Sequence, residues 1–386
     1  MTQTTRISGA RATIRGWKRK VVTILVAAAL WLARRLPPGA DAWLARGLAA
    51  LVRGMAPPLR RRMRDNLRHV YGAQGSAASP RRPSSSGDLI FNVHEPEPTD
   101  AVPPCASAVP AARRRDACTT TWPSWRETAG CGVSAPPPRR GGTTLDRLEA
   151  AVWDTLGTSV AQWLRLAQWK PADVRRGARI RGMATLRRAL AAERGAILLS
   201  GHVGCFELGA AALAARGVAL TALVRTHDEP ALEALLAGVR ARHGVRALPK
   251  QSFRAAIAEL KAGRCVALLA DQAVRTGGVP TTFLGRRAAT AVGPLLLAHW
   301  SGAPILPLFV QADEGGRPVL EIHAPLALPA DGDRETWLAA GAQVMNDVYG
   351  QVIARAPERW LWLHRRWKKP DSWRRGHEVE PCTAPC

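Results

Sequence analysis

Nine histidines are scattered along the chain, and one stands where chemistry is possible: Gly201-His202-Val203-Gly204-Cys205-Phe206-Glu207. An imidazole titrates near neutral pH and can take a proton from a hydroxyl, while a neighbouring carboxylate fixes its tautomer and stabilises the imidazolium that forms. Inside one continuous α-helix, side chains at this spacing point about 140° apart and cannot meet. Contact between His202 and Glu207 therefore requires a bend, for which Gly201 and Gly204 supply the backbone freedom. The spacing predicts His202 at the end of a strand as general base, and Glu207 in the first turn of the next helix as its partner. A His-x4-acid match arises easily by chance in a chain with nine histidines, so the weight rests on this context. The other eight histidines lack it.

The elements that must position the pair follow from periodicity. Short apolar runs at 196–200, 218–224, 244–248, 265–270 and 305–310 read as strands. Helical stretches begin near Phe206, Pro230, Ser252 and Thr290, with a last one over 334–355 and an earlier amphipathic one over 146–170. Strand–helix–strand alternation at these lengths implies crossover connections. The expected fold is α/β, a largely parallel central sheet flanked by helices, with an N-terminal membrane-associated helix. In such sheets the site lies beyond the carboxyl ends of the strands, which is where His202 falls.

Composition bounds the remaining possibilities. With 386 residues, 47% of them apolar, a large core can form without staples, and 55 basic against 30 acidic side chains give +25, pointing to an anionic partner or surface. Seven cysteines, none in C-x-x-C spacing, offer neither a disulfide framework nor a zinc ribbon, and no metal or other cofactor is expected. The basic excess is concentrated in residues 1–72, read as a membrane-anchoring region. There Val21–Ala33 is an uncharged apolar run between Lys18-Arg19-Lys20 and Arg34-Arg35. As a helix it would be about 20 Å long against roughly 30 Å of bilayer hydrocarbon, so it spans only if its flanking bases snorkel, or else dips into one leaflet. No small-x-small cleavage site follows it, which argues against a secretory signal.

Residues 73–142 form the next division. Eleven of the 29 prolines and three of the seven cysteines lie within 74–142. That stretch reads as linker, or as the product of two compensating frame shifts, and His94, Cys105, Cys118 and Cys131 in it are assigned no chemistry. The catalytic domain is expected over 143–370 and a tail over 371–386. Near its end Trp360, Trp362 and Trp367 alternate with Arg365, Arg366, Lys368 and Lys369, a mixture expected at a bilayer headgroup zone.

The Gly-His202-x-Gly-x-x-Glu207 stretch resembles the H-x4-D/E signature of the lipid A biosynthesis (lauroyl/myristoyl) acyltransferases. So do Leu269-Ala270-Asp271-Gln272, Phe283-Leu284-Gly285-Arg286, Gly302-Ala303-Pro304-Ile305 and Pro357-Glu358-Arg359-Trp360-Leu361-Trp362. The likeness covers 145–370 well and 15–72 loosely, and it fails across 74–142. It implies O-acyl transfer from an acyl carrier protein thioester to a hydroxyl of a lipid A precursor, at the cytoplasmic face of the bacterial inner membrane, without nucleic acid. It casts His202 as base and Glu207 as its partner, and puts Arg240 where the family keeps an essential Arg and Asp271 at the acid of its Asp-Gln loop. Both are expected to be substrate-binding, Arg240 through a phosphate or carboxylate of the acceptor and Asp271 by orienting that Arg or a sugar hydroxyl. A related acyltransferase using a phospholipid or glycolipid acceptor, or a non-enzymatic protein binding anionic lipid or nucleic acid, are the alternatives. The family usually has Asn-Trp where this chain has Cys205-Phe206. Cys205 could carry an acyl thioester if His202 activated it, although cysteines commonly serve as small buried fillers.

Overall fold

The computed structural model describes residues 20, 23–32, 35, 40–72 and 144–370 apart from 275, 330–331 and 369. The segment 74–142, with its histidine and three cysteines, and the tail 371–386 lie outside the described residues. Three helices come first: α1 over 23–32, α2 (Ala40–Met55) and α3 (Pro57–Tyr71). Then follow α4 (Thr144–Leu166), α5 (Pro171–Gly177), β1 (Arg179–Arg181), α6 (Met183–Leu190), β2 (Ala196–Ser200) and α7 (Phe206–Ala214). Next are β3 (Leu220–Val224), α8 (Pro230–Arg242), β4 (Val245–Pro249), α9 (Phe253–Lys261) and β5 (Cys265–Leu269). The chain continues through β6 (Gly278–Phe283), β7 (Arg286–Ala291), α10 (Gly293–Ser301), β8 (Ile305–Ala312), β9 (Pro318–Ile322) and α11 (Arg334–Arg355).

Seven strands form one sheet in the order β1-β9-β8-β2-β5-β3-β4, parallel throughout except for the β8–β9 pair. The sequence Ala196-Ile197-Leu198-Leu199 is apolar at every position because β2 is covered on both faces, and none of these four side chains is exposed. Burying each of the three larger ones stabilises the fold by about 1.5–3 kcal/mol. β2 lies between β5 and β8, with Ser200 opposite Leu269. The segments leaving β2 and β5 therefore emerge side by side at the carboxyl edge of the sheet.

Three expectations need correction. The helix expected near Thr290 starts at Gly293, because 286–291 pair with β6 as a hairpin turning at Leu284 and Gly285, both at positive φ. Thr290 faces inward there and its hydroxyl bonds those of Thr281 and the amide of Asn346. The expected N-terminal membrane helix is not seen as a span: among the described residues no helix is long and apolar enough to cross a membrane. α1 instead lays Val26, Ala29 and Leu30 on the cluster containing Leu164, Leu166 and Leu208, leaving Ile24, Leu25, Trp31 and Leu32 exposed. Third, the carboxyl-terminal aromatic and basic mixture is core in part: Trp360, Trp362 and Arg366 are at most 2% exposed, while Arg365 and Lys368 are exposed. Most of their polar atoms meet internal acceptors, while Arg366 Nε is buried with no hydrogen-bond partner among the described residues. Trp362 donates to Pro357 O, and Arg366 donates to Ala289 O, Thr290 Oγ1 and Asn346 Oδ1 while its guanidinium lies 4.5 Å from the Phe283 ring centre.

Candidate active site

Two residues beyond the end of β2 stands His202, and two beyond the end of β5 stands Asp271. The register that aligns Ser200 with Leu269 brings them into contact: His202 Nδ1 is 2.8 Å from Asp271 Oδ1, and the His202 backbone N–H donates to Asp271 Oδ2 at 2.9 Å. Trp360 Nε1 donates to the same Oδ2 at 2.9 Å. Every group reaching this carboxylate is thus a donor, and the Asp271 side chain is 1% exposed. On the far side of the ring, Gln272 Nε2 lies 3.3 Å from His202 Nε2. The Asp271 carboxylate can only accept, so in the neutral ring Nδ1 carries the proton toward Asp271 and Nε2 is the accepting nitrogen. This is the tautomer a general base requires.

Glycines make room for this turn, as expected. Gly204 has φ +58°, and a Cβ there would stand 2.7 Å from Val310 O. A Cβ on Gly201 would stand 3.1 Å from the Tyr349 ring and 3.2 Å from the Asp271 carboxyl carbon. Tyr349 sits behind the turn and its hydroxyl donates to Ser200 O. The segment after α11 closes the other side. Gly204 N–H donates to Arg359 O, Leu361 N–H donates to His202 O, and Val203 pairs with Trp360 in an isolated antiparallel bridge.

The Glu207 carboxylate does not hold the imidazole proton. It is gripped by Arg240, whose Nη2 donates to Oε1 at 2.6 Å and whose Nε lies 3.2 Å from both oxygens. The pair joins the first turn of α7 to the last of α8, and both side chains are largely buried. Glu207 still acts on the ring through its charge. Burial lowers the pKa of His202, but the Asp271 charge and hydrogen bond, with Glu207 adding to them, leave it above its ordinary 6.5. Burial likewise pushes Asp271 up, and the His202 charge with hydrogen bonds from His202 and Trp360 more than offsets it, so its pKa is lowered.

The structure thus brings the four expected residues together as two pairs, His202 with Asp271 and Glu207 with Arg240. Asp271, expected to bind substrate, stands in contact with His202. Sequence reading overlooked Trp360 and Gln272 in the site, although their motifs had been marked. Cys205 is buried among Leu208, Ala211 and Ala212, and burial pushes its thiol up to about 12, which suits a filler and not a nucleophile. His202 meets the neighbouring Phe206 ring edge-on at 5.2 Å. Among the described residues no group of three or more His, Cys, Asp or Glu is arranged to hold a metal ion.

Comparison with known proteins gives the family. The family described as "Bacterial lipid A biosynthesis acyltransferase" matches residues 145–369. The chain is 30% identical over 203 residues to the lipid A biosynthesis lauroyltransferase of Escherichia coli (strain K12), covering 52% of this chain and 65% of that protein, just under two thirds of its length. It is 26% identical over 237 residues to the lipid A biosynthesis palmitoleoyltransferase of the same organism, covering 60% and 74%. It is also 28% identical over 193 residues to the phosphatidylinositol mannoside acyltransferase of Mycobacterium tuberculosis (strain ATCC 25618 / H37Rv), covering 49% and 59%.

Proposed function

Because this chain belongs to the bacterial lipid A biosynthesis acyltransferase family, we propose that it moves a fatty acyl chain from an acyl carrier protein thioester to a hydroxyl of a lipid A precursor, with His202 as general base. The observation that carries the reading is the 2.8 Å contact between His202 Nδ1 and Asp271, which leaves Nε2 as the proton acceptor. In the reaction the acceptor hydroxyl takes the place of the Gln272 amide at Nε2 and gives up its proton there. Its oxygen attacks the thioester carbonyl. The resulting oxyanion faces backbone N–H groups at the start of α7, of which Gly204 is already committed to Arg359, leaving those of Cys205 and Phe206. Collapse expels the thiolate, which takes the proton back from the imidazolium. Asp271 orients the ring throughout and is not itself protonated. Glu207 and Arg240 brace α7 against α8 and add negative charge beside the ring.

The exposed Ile24, Leu25, Trp31 and Leu32 of α1, with Trp43, Leu51 and Val52 of α2, form the faces by which the protein meets the inner membrane from its cytoplasmic side. A second acceptor class is favoured by one finding, the likeness to a phosphatidylinositol mannoside acyltransferase. The test combines the purified full chain, a labelled acyl carrier thioester and either a tetra-acyl lipid A precursor or a phosphatidylinositol mannoside, with products weighed by mass spectrometry. One added acyl chain on the first acceptor is expected. His202→Ala should lower that rate by about 10²–10⁴. Wild-type rates in this variant would overturn the mechanism, and transfer only to the second acceptor would replace the substrate.

A further inference from the structure

Between α3 and the carboxyl-terminal segment 363–368 lies a cavity of about 540 Å³, distinct from the His202 turn. Arg61, Arg62, Arg365 and Lys368 line it, with Asp65 as the one carboxylate. α3 divides its arginines by face. Arg60 and Arg64, one turn apart, both bind the buried Glu149 of α4. Among the described residues none of the four cations lining the cavity is paired with a carboxylate. Its walls are nevertheless fixed. Asn66 Nδ2 donates to Trp362 O at 2.6 Å and to His364 O at 2.7 Å, and Arg62 Nη1 reaches Leu363 O at 3.4 Å. Opposite them, Arg286 Nε donates to His69 O and the His69 ring lies 4.9 Å from that of Trp367.

A pocket of this size suits a small ligand or headgroup, and an excess of three positive charges calls for a multiply charged anion. A phosphate monoester carries about −1.5 to −2 at neutral pH and presents oxygens that match guanidinium forks. The location also has meaning. Leu361, bonded to the His202 carbonyl, is four residues from Arg365, at most about 14 Å of extended chain. We propose that this cleft is a phosphate site for the headgroup of the acceptor lipid, held by Arg61, Arg62, Arg365 and Lys368 so that a hydroxyl of the same headgroup reaches His202. The assignment rests on the acyl-transfer reading and deepens it by naming the feature of the acceptor that is recognised.

The test uses two acceptors differing only in the headgroup phosphate, with the donor saturating. It adds direct titration of the protein with glucose 1-phosphate and with glucose. Arg61 and Arg365 are exposed, so Arg61→Gln with Arg365→Gln is expected to fold, and an unchanged melting curve checks this. The wild type should prefer the phosphorylated acceptor by tenfold or more in kcat/KM and should bind the sugar phosphate but not the sugar. The double variant should raise the acceptor KM by about tenfold or more without changing the donor KM, and should lose the sugar-phosphate binding. Equal use of both acceptors would overturn the proposal, as would a rise in donor KM instead, which would assign the cleft to the carrier's phosphate. If the wild type acylates neither acceptor, the acyl-transfer reading fails. The titration then decides the cleft separately: binding of glucose 1-phosphate lost in the variant upholds a phosphate site, and no binding removes it.

Discussion

At the scale of single residues, Asp271 is the side chain whose chemistry is most constrained. One of its oxygens accepts a hydrogen bond from the imidazole N–H and the other accepts from two N–H groups, of the His202 backbone and Trp360. An asparagine in its place must point its NH₂ at one of these donors whichever way it turns. Asp271→Asn is therefore expected to lower kcat by about 10² or more, as loss of the orienting carboxylate does in other base-assisted acyl transfers. The pH dependence carries a sign as well. In the proposed mechanism His202 acts unprotonated, so wild-type kcat/KM should rise with pH through a midpoint above 6.5, where Asp271 holds the imidazolium. Without that charge burial dominates, and the acid limb of the residual activity should move to lower pH. A midpoint that stays put, read from initial rates between pH 5 and 9, would mean that Asp271 does not set it.

The element that decides whether these residues meet is the turn between β2 and α7. Gly204 sits at φ +58°, where a side chain is strained, and its missing Cβ leaves space for the Val310 carbonyl of β8. Gly204→Ala must move the turn away from β8 or distort it, and the turn is also bonded to Arg359 and Leu361. The expected cost is about 1–3 kcal/mol of stability, measured as a lowered midpoint in urea. Activity should fall further than the loss of folded protein explains, because the imidazole moves with the turn. A variant with wild-type stability and rate would show that the turn tolerates a side chain. The carboxyl-terminal segment acts as a second clamp on the same turn. Trp360 and Trp362 are core residues for that reason, and their rings pack edge-on at 4.8 Å.

For the whole molecule, charge and exposed apolar surface point to the same partner. The chain carries +25, and α1 and α2 expose Trp31 and Trp43 at 58% and 75% beside other apolar side chains. In the proposed role such a surface would bind anionic bilayers through buried rings and through attraction to headgroups, and salt would screen the second part. Trp31→Glu with Trp43→Glu should reduce flotation with phosphatidylglycerol-containing vesicles by tenfold or more. Raising salt from 0.1 to 0.5 M should weaken binding of the wild type. Flotation unchanged by both would leave these helices without the assigned role. Both rings are exposed, so folding should be preserved.

Much of this protein is legible in the chain alone. The apolar run 196–199 announces a strand covered on both faces, Pro230 and Ser252 mark helix starts, and the two glycines around His202 announce a bend at a strand's end. Local sequence suffices for these because propensity, caps and turns act over a few residues. The partner of His202 was not legible in the same way. Glu207, five positions away, lost that contact to Asp271, sixty-nine positions away, and turned to Arg240. Which carboxylate reaches the imidazole depends on which strand lies beside β2, and strand order is settled by packing of the whole sheet. The same holds for Trp360 and Arg366, whose types suited a membrane surface and whose acceptors, Asp271 for the one and Ala289 and Thr290 for the other, come from distant segments. Residue types and local bends belong to the sequence; the pairings that make a base, and the interior that shelters them, were decided by the tertiary structure.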